Sequence, residues 1–140
     1  VEMTILAREA SKKTPQGATA ELDVTQSANH YLDAYREMNG FCEHKKLICD
    51  FFLQPFVAHK GSMSDPEKRI LNVLKQKIPQ YVGHYDRTVD LIMASRYPNI
   101  HDLRGAMAQG QVEAFTDAVH VNVDGNRQIA DALTGVLLRR

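Results

Sequence analysis

Apolar residues in this chain recur mostly three and four apart, the spacing of one helical face. Met3, Leu6, Ala7 and Ala10 predict a helix over residues 2–13, stopped by Pro15 and Gly17. Thr14 to Ala20 is small and polar and reads as a surface loop. Ala28, Tyr31, Leu32, Tyr35 and Met38 predict a second helix over residues 25–44, with Thr25 as N-cap and Asn39-Gly40 as a break or C-terminal signal. Leu47 to Leu53 is different: a continuous apolar and aromatic run of strand length, interrupted only by Asp50. Such a run fits a strand buried on both faces, as in a parallel sheet. Ser64-Asp65-Pro66-Glu67 then opens a helix, with Ser64 as cap, Pro66 in the first turn and Glu67 three residues after the cap. That helix carries Ile70, Val73, Leu74 and Ile78 up to Pro79, and a further helical segment runs from Gln80 to Arg96.

Tyr97-Pro98-Asn99 reads as a turn and Ile100 to Leu103 as a short strand. Gly105 to Gly110 loops away, Ala114 to His120 is irregular, and Asp124-Gly125 opens a last helix with the stripe Ile129, Ala130, Leu133, Val136 and Leu137. Helix, strand, long helix, strand, helix is the alternation of an α/β layer with parallel strands. Two strands do not make a parallel sheet covered on both faces. The pattern therefore predicts a three-layer α/β/α, flavodoxin-like arrangement of which residues 1–140 are the C-terminal portion of a single domain.

Composition narrows the function classes. Lys plus Arg equals Asp plus Glu at 17 each, so no net field steers the chain toward nucleic acid or an anionic membrane. The densest basic run, His44-Lys45-Lys46, is short enough to be a solvated helix end. No stretch approaches the roughly 20 apolar residues of a membrane span. Two cysteines make no disulfide framework. Cys49 reads as a small buried hydrophobe, with a Cys42–Cys49 bridge as the minor alternative. The compartment is left open.

The chemistry concentrates in Phe115 to Asn126. An Asp and a His three residues apart, in a loop that enters a helix, can point at one another. The carboxylate of Asp117 would fix the tautomer of His120 and leave its second ring nitrogen as a base. That base needs a hydroxyl to deprotonate. Asn122 and Asn126 read as loop braces or helix caps, and Gly125 as a backbone requirement. His101 and Asp102 could join His120 in a metal site, but no second tight His pair or Cys cluster accompanies them. His30, His44, His59 and His84 read as surface or satisfied residues. Gln54 could face a cleft beyond the strand end or simply pack. Tyr81, Tyr85, Ile92 and Met93 have the spacing of a core face, with a substrate groove as the alternative.

The stretch Thr116-Asp117-Ala118-Val119-His120-Val121-Asn122-Val123-Asp124-Gly125-Asn126, followed by Ile129-Ala130 and Leu133, resembles the last block of the SGNH (GDSL-type) hydrolases. Phe51-Phe52-Leu53-Gln54-Pro55-Phe56, Lys60, Ser64 and Glu67 resemble the strand and loop before a lid-like helix in some members, and Ile100 to Gly105 resembles the strand before the final block. The likeness covers residues 45–140 well and 1–44 only loosely. It implies a serine-dependent carboxylic ester hydrolase, with His120 as general base and then acid and Asp117 orienting it. The implied substrate is a small acyl ester (sugar acetate, lipid or thioester), and no cofactor is implied.

The family's Gly-Asp-Ser nucleophile block and its Gly-x-Asn-Asp oxyanion block do not occur in these residues. Ser11, Ser27, Ser62, Ser64 and Ser95 all lack the nucleophile's flanks. The reading therefore expects this chain to be inert alone. It would be the C-terminal part of a longer polypeptide, or one of two cleaved chains, with the N-terminal part as its partner. The rivals are a non-catalytic binding protein that carries a relic pair, and a metal-dependent hydrolase.

Overall fold

The computed structural model describes residues 23–139. The helix expected over residues 2–13, the loop after it and Ser11 lie outside them. The described residues form an α/β unit of four helices and a two-stranded parallel sheet. Helix α1 spans Val24–His44, strand β1 Phe51–Leu53, helix α2 Asp65–Lys77, helix α3 Tyr81–Ala94, strand β2 Ile100–Asp102 and helix α4 Val123–Leu137. Short 3-10 turns at Val57–His59 and Arg104–Met107 follow the two strands. The register pairs Phe51 with Ile100, Phe52 with His101 and Leu53 with Asp102.

Two apolar clusters hold these elements. In the first, Ala28, Leu32 and Tyr35 of α1 pack on Val89 and Ile92 of α3 and on Leu53 and Ile100 of the sheet. Asn99 ties this cluster together: its carbonyl oxygen accepts from Tyr35 Oη at 2.6 Å, and its amide donates to the Cys49 carbonyl at 3.0 Å. The second cluster, Phe56, Val57, Met107, Ala114 and Phe115, lies beyond the carboxyl ends of the strands. Ile70 and Leu74 of α2, Tyr81, Tyr85 and Ile129 pack against it. Tyr85 is also held from the polar side, donating to the Gln54 carbonyl at 2.7 Å, while the Gln54 side chain is exposed.

Four expectations are corrected. Asp23, not Thr25, caps α1, because its carboxylate accepts from Gln26 N at 2.9 Å. Helix α1 runs straight through Asn39-Gly40, where Asn39 donates to Glu43 Oε1 one turn on at 2.7 Å. The Leu47–Leu53 run is a strand only from Phe51, and Leu47 and Ile48 are exposed, Ile48 by 85%. Lastly, Cys42 and Cys49 are bonded to each other.

The last two corrections share a cause. Cys42 is buried on the inner face of α1, and Lys46 takes a left-handed φ of 55° that turns the chain back after the helix. The disulfide then holds residues 45–48 as a loop, and Asn99, the residue before β2, already accepts from Phe51 N at 2.8 Å. No described strand is left for Leu47 and Ile48 to pair with. Closing so short a loop removes chain entropy from the unfolded state, so reduction should lower stability by about 2–3 kcal/mol. Urea unfolding with and without reductant measures the difference.

Candidate active site

The Asp117–His120 loop is built from α2 inward. Ser64 and Glu67 form the expected capping box: Ser64 Oγ accepts from Glu67 N at 3.3 Å, and Glu67 Oε2 accepts from Ser64 N at 2.8 Å. Glu67 does more than cap. Its side chain is fully buried, Oε2 also accepts from Lys60 Nζ at 2.6 Å, and the Lys60 side chain is equally buried. Oε1 accepts from the backbone amides of Ala114 at 2.8 Å and Phe115 at 3.1 Å. Burial alone would raise the pKa of Glu67, but Lys60 and the three amides outweigh it and hold the carboxyl at about 2.

Glu67 thus anchors the first residues of the loop. A Phe115–Val121 antiparallel bridge closes it, and Val57 N donates to the Ala118 carbonyl at 3.0 Å. Val57 lies four residues past the end of β1. The loop therefore sits beyond the carboxyl ends of the parallel strands, where open α/β sheets bind ligands. Asn122 caps α4 by accepting from Gly125 N at 3.0 Å. A Cβ on Gly125 would lie 2.6 Å from Val121 Cβ and 2.7 Å from the Ala114 carbonyl oxygen, so only glycine lets the helix start this close to the loop.

Within the loop, Asp117 Oδ1 accepts from Val119 N at 2.9 Å and His120 N at 2.8 Å, and Oδ2 lies 2.7 Å from His120 Nδ1. These hydrogen bonds, the His120 amide and ring first among them, lower the Asp117 carboxyl to about 2. At neutral pH it is ionised and can only accept, so Nδ1 must carry a proton. In the neutral ring the lone pair is then on Nε2, which has no partner among the described residues. The His120 side chain is 78% exposed.

Two further His–carboxylate pairs are present among the described residues, and each is built the other way round. His59 Nε2 is 2.7 Å from Asp86, and His101 Nε2 is 2.8 Å from Asp50. Both rings are largely buried and use their outer nitrogen on the carboxylate. Asp102 is taken by Arg104, which also reaches Asp86 and Asp90. Despite burial, Arg104 holds the Asp102 carboxyl below its ordinary range. His101 and Asp102 are therefore not brought to His120, and no group of three His, Cys, Asp or Glu among the described residues could hold a metal ion.

Ser27 Oγ meets His84 Nε2 at 3.1 Å between α1 and α3, but His84 Nδ1 is buried and has no partner. That pair has no carboxylate to orient it. The His59–Asp86, His101–Asp50 and Ser27–His84 contacts join residues 27 to 57 apart, and nothing in the sequence marked them. No family model, curated protein or solved structure matches the chain.

Proposed function

We propose that this chain carries the acid–base half of a serine-dependent carboxylic ester hydrolase, within a three-layer α/β/α domain of SGNH type. His120 Nε2 takes the proton from the attacking serine and returns it to the leaving alcohol. Asp117 fixes the tautomer and stabilises the imidazolium. The serine and the oxyanion donors would lie outside these 140 residues, and without those donors the electrostatic contribution that is usually largest is missing. No cofactor enters the scheme.

The observation that carries the reading is the direction of the His120 ring. Of the three His–carboxylate pairs among the described residues, this one alone uses Nδ1 and leaves Nε2 open to solvent, at the carboxyl end of the strands. A pair kept only for packing has no need of that orientation or that exposure.

The test is to label the protein from its natural source with a serine-reactive fluorophosphonate and to map the modified peptide by mass. Label on a serine outside this sequence is the expected result. Label on Ser11, Ser27, Ser62, Ser64 or Ser95 would place the nucleophile inside the chain and overturn that part of the scheme. Complete absence of label would favour a binding protein that retains the pair as a relic.

A further inference from the structure

Beside the Asp117 loop lies an open groove of about 570 Å³, within the size range of small-molecule sites. One wall is a stripe of α2 that includes Arg69, Ile70, Val73 and Lys77; the other includes Asp117 and Ala118. The helical residues are one, four and eight positions apart, so they share a face, and from Arg69 to Lys77 that face runs roughly 12 Å. Its middle is apolar and wet: Val73 is 48% exposed although it lines a concavity.

The charges around this stripe are unbalanced. Lys60 is satisfied by Glu67, and Lys68 by Asp65. Arg69 and Lys77 form no ion pair within 4 Å with another described residue, although Arg69 lies near enough to Asp65 to help lower its carboxyl. The carboxylate that lines the groove, Asp117, is already engaged by the His120 ring and two amides. An occupant thus meets an apolar wall with a cation toward each end, and one ionised carboxylate whose oxygens already accept from the His120 ring and two amides.

We infer that this groove binds an anionic amphiphile, specifically a fatty carboxylate, with its chain along Ile70 and Val73 and its head on Arg69. Arg69 is the better head-group residue because its planar fork matches a carboxylate in two parallel hydrogen bonds, whereas Lys77 offers a point charge. A neutral sugar acetate would use neither the wall nor the cations. A lipid acyl ester, also uncharged at the ester, would use the wall, and its released fatty carboxylate would use Arg69. For the chemistry, the inference rests on the esterase reading: it selects lipid acyl esters among the possible substrates, with the fatty acid as product. For binding alone it does not need that reading.

The experiment is a titration of the 15N-labelled chain with sodium decanoate below its micelle concentration, followed by amide shifts. Saturable shifts confined to Ile70, Val73, Thr116 and Ala118 and their neighbours are expected. Arg69→Gln should weaken binding at least fivefold, Lys77→Gln two- to threefold, and Val73→Glu should abolish it. Val73 is half exposed, so its variant should keep the fold, which the unchanged remainder of the spectrum verifies. No saturable shift, shifts elsewhere, or equal affinity for neutral decanol would each overturn the proposal. Decanoate binding in a protein that resists fluorophosphonate would leave a carrier site and sink only the esterase reading. Labelling without decanoate binding would sink only the lipid assignment.

Discussion

Replacing Glu67 with Gln should destabilise the fold by roughly 3–5 kcal/mol, the cost of breaking a buried ion pair from one side. Gln fills the same volume, and its oxygen can still accept from Ala114 and Phe115. Its amide would then face Lys60 Nζ and Ser64 N, where both partners are donors and one is a buried cation. Substituting both members, as in Lys60→Met with Glu67→Leu, removes the stranded charge but orphans the amides of Ala114 and Phe115. Each orphan costs about 1–3 kcal/mol, so the double variant should recover only part of the loss. Urea unfolding of the three proteins settles the order.

Acid should act through the same residue. Glu67 titrates at about 2 when folded against an ordinary 4.5. Its contribution is complete above pH 4.5 and is lost as pH falls from there through 2, on the order of 3 kcal/mol in all. The Gln variant should show a flatter acid slope in that window.

The second large effect is catalytic. If the Asp117–His120 pair works as proposed, Asp117→Asn should lower kcat about 10⁴-fold, as expected when a triad histidine is held in the wrong tautomer. The substitution is a clean one here because the two carboxylate oxygens have separate tasks. An Asn oxygen can still accept from Val119 N and His120 N and keep the turn. The amide nitrogen in the place of Oδ2 can only donate, so it forces the proton from His120 Nδ1 to Nε2. Turnover of the unmodified enzyme that contains the fluorophosphonate-reactive serine should collapse while the far-UV spectrum and unfolding midpoint barely move. Unchanged turnover would reduce the pair to a structural turn.

What the sequence disclosed follows the range of the interactions. The start of α2 was legible because Ser64 and Glu67 are one turn apart and satisfy each other's amides. The Asp117–His120 pair was legible for the same reason. Glu67 as anchor of the site loop was not, since Ala114 lies 47 residues away and either end alone looks ordinary. Asn39-Gly40 misled because a glycine inside a helix costs only about 1 kcal/mol. Burial of Cys42 in the next turn, with its disulfide, outweighs that. The Leu47–Leu53 run misled because a strand forms only where a partner strand exists, and that partner is set by where β2 begins. The three-layer arrangement depends on further strands, and the described residues supply two.

The Cys42–Cys49 bond also changes how the protein would report a cut. Lys45 and Lys46 are exposed in the loop that the bond spans. Trypsin acting there would sever the backbone between α1 and the sheet without releasing either piece. A nicked molecule would migrate as one band on a non-reducing gel and as two once thiol is added, and a preparation judged intact by the first gel alone could already be cleaved.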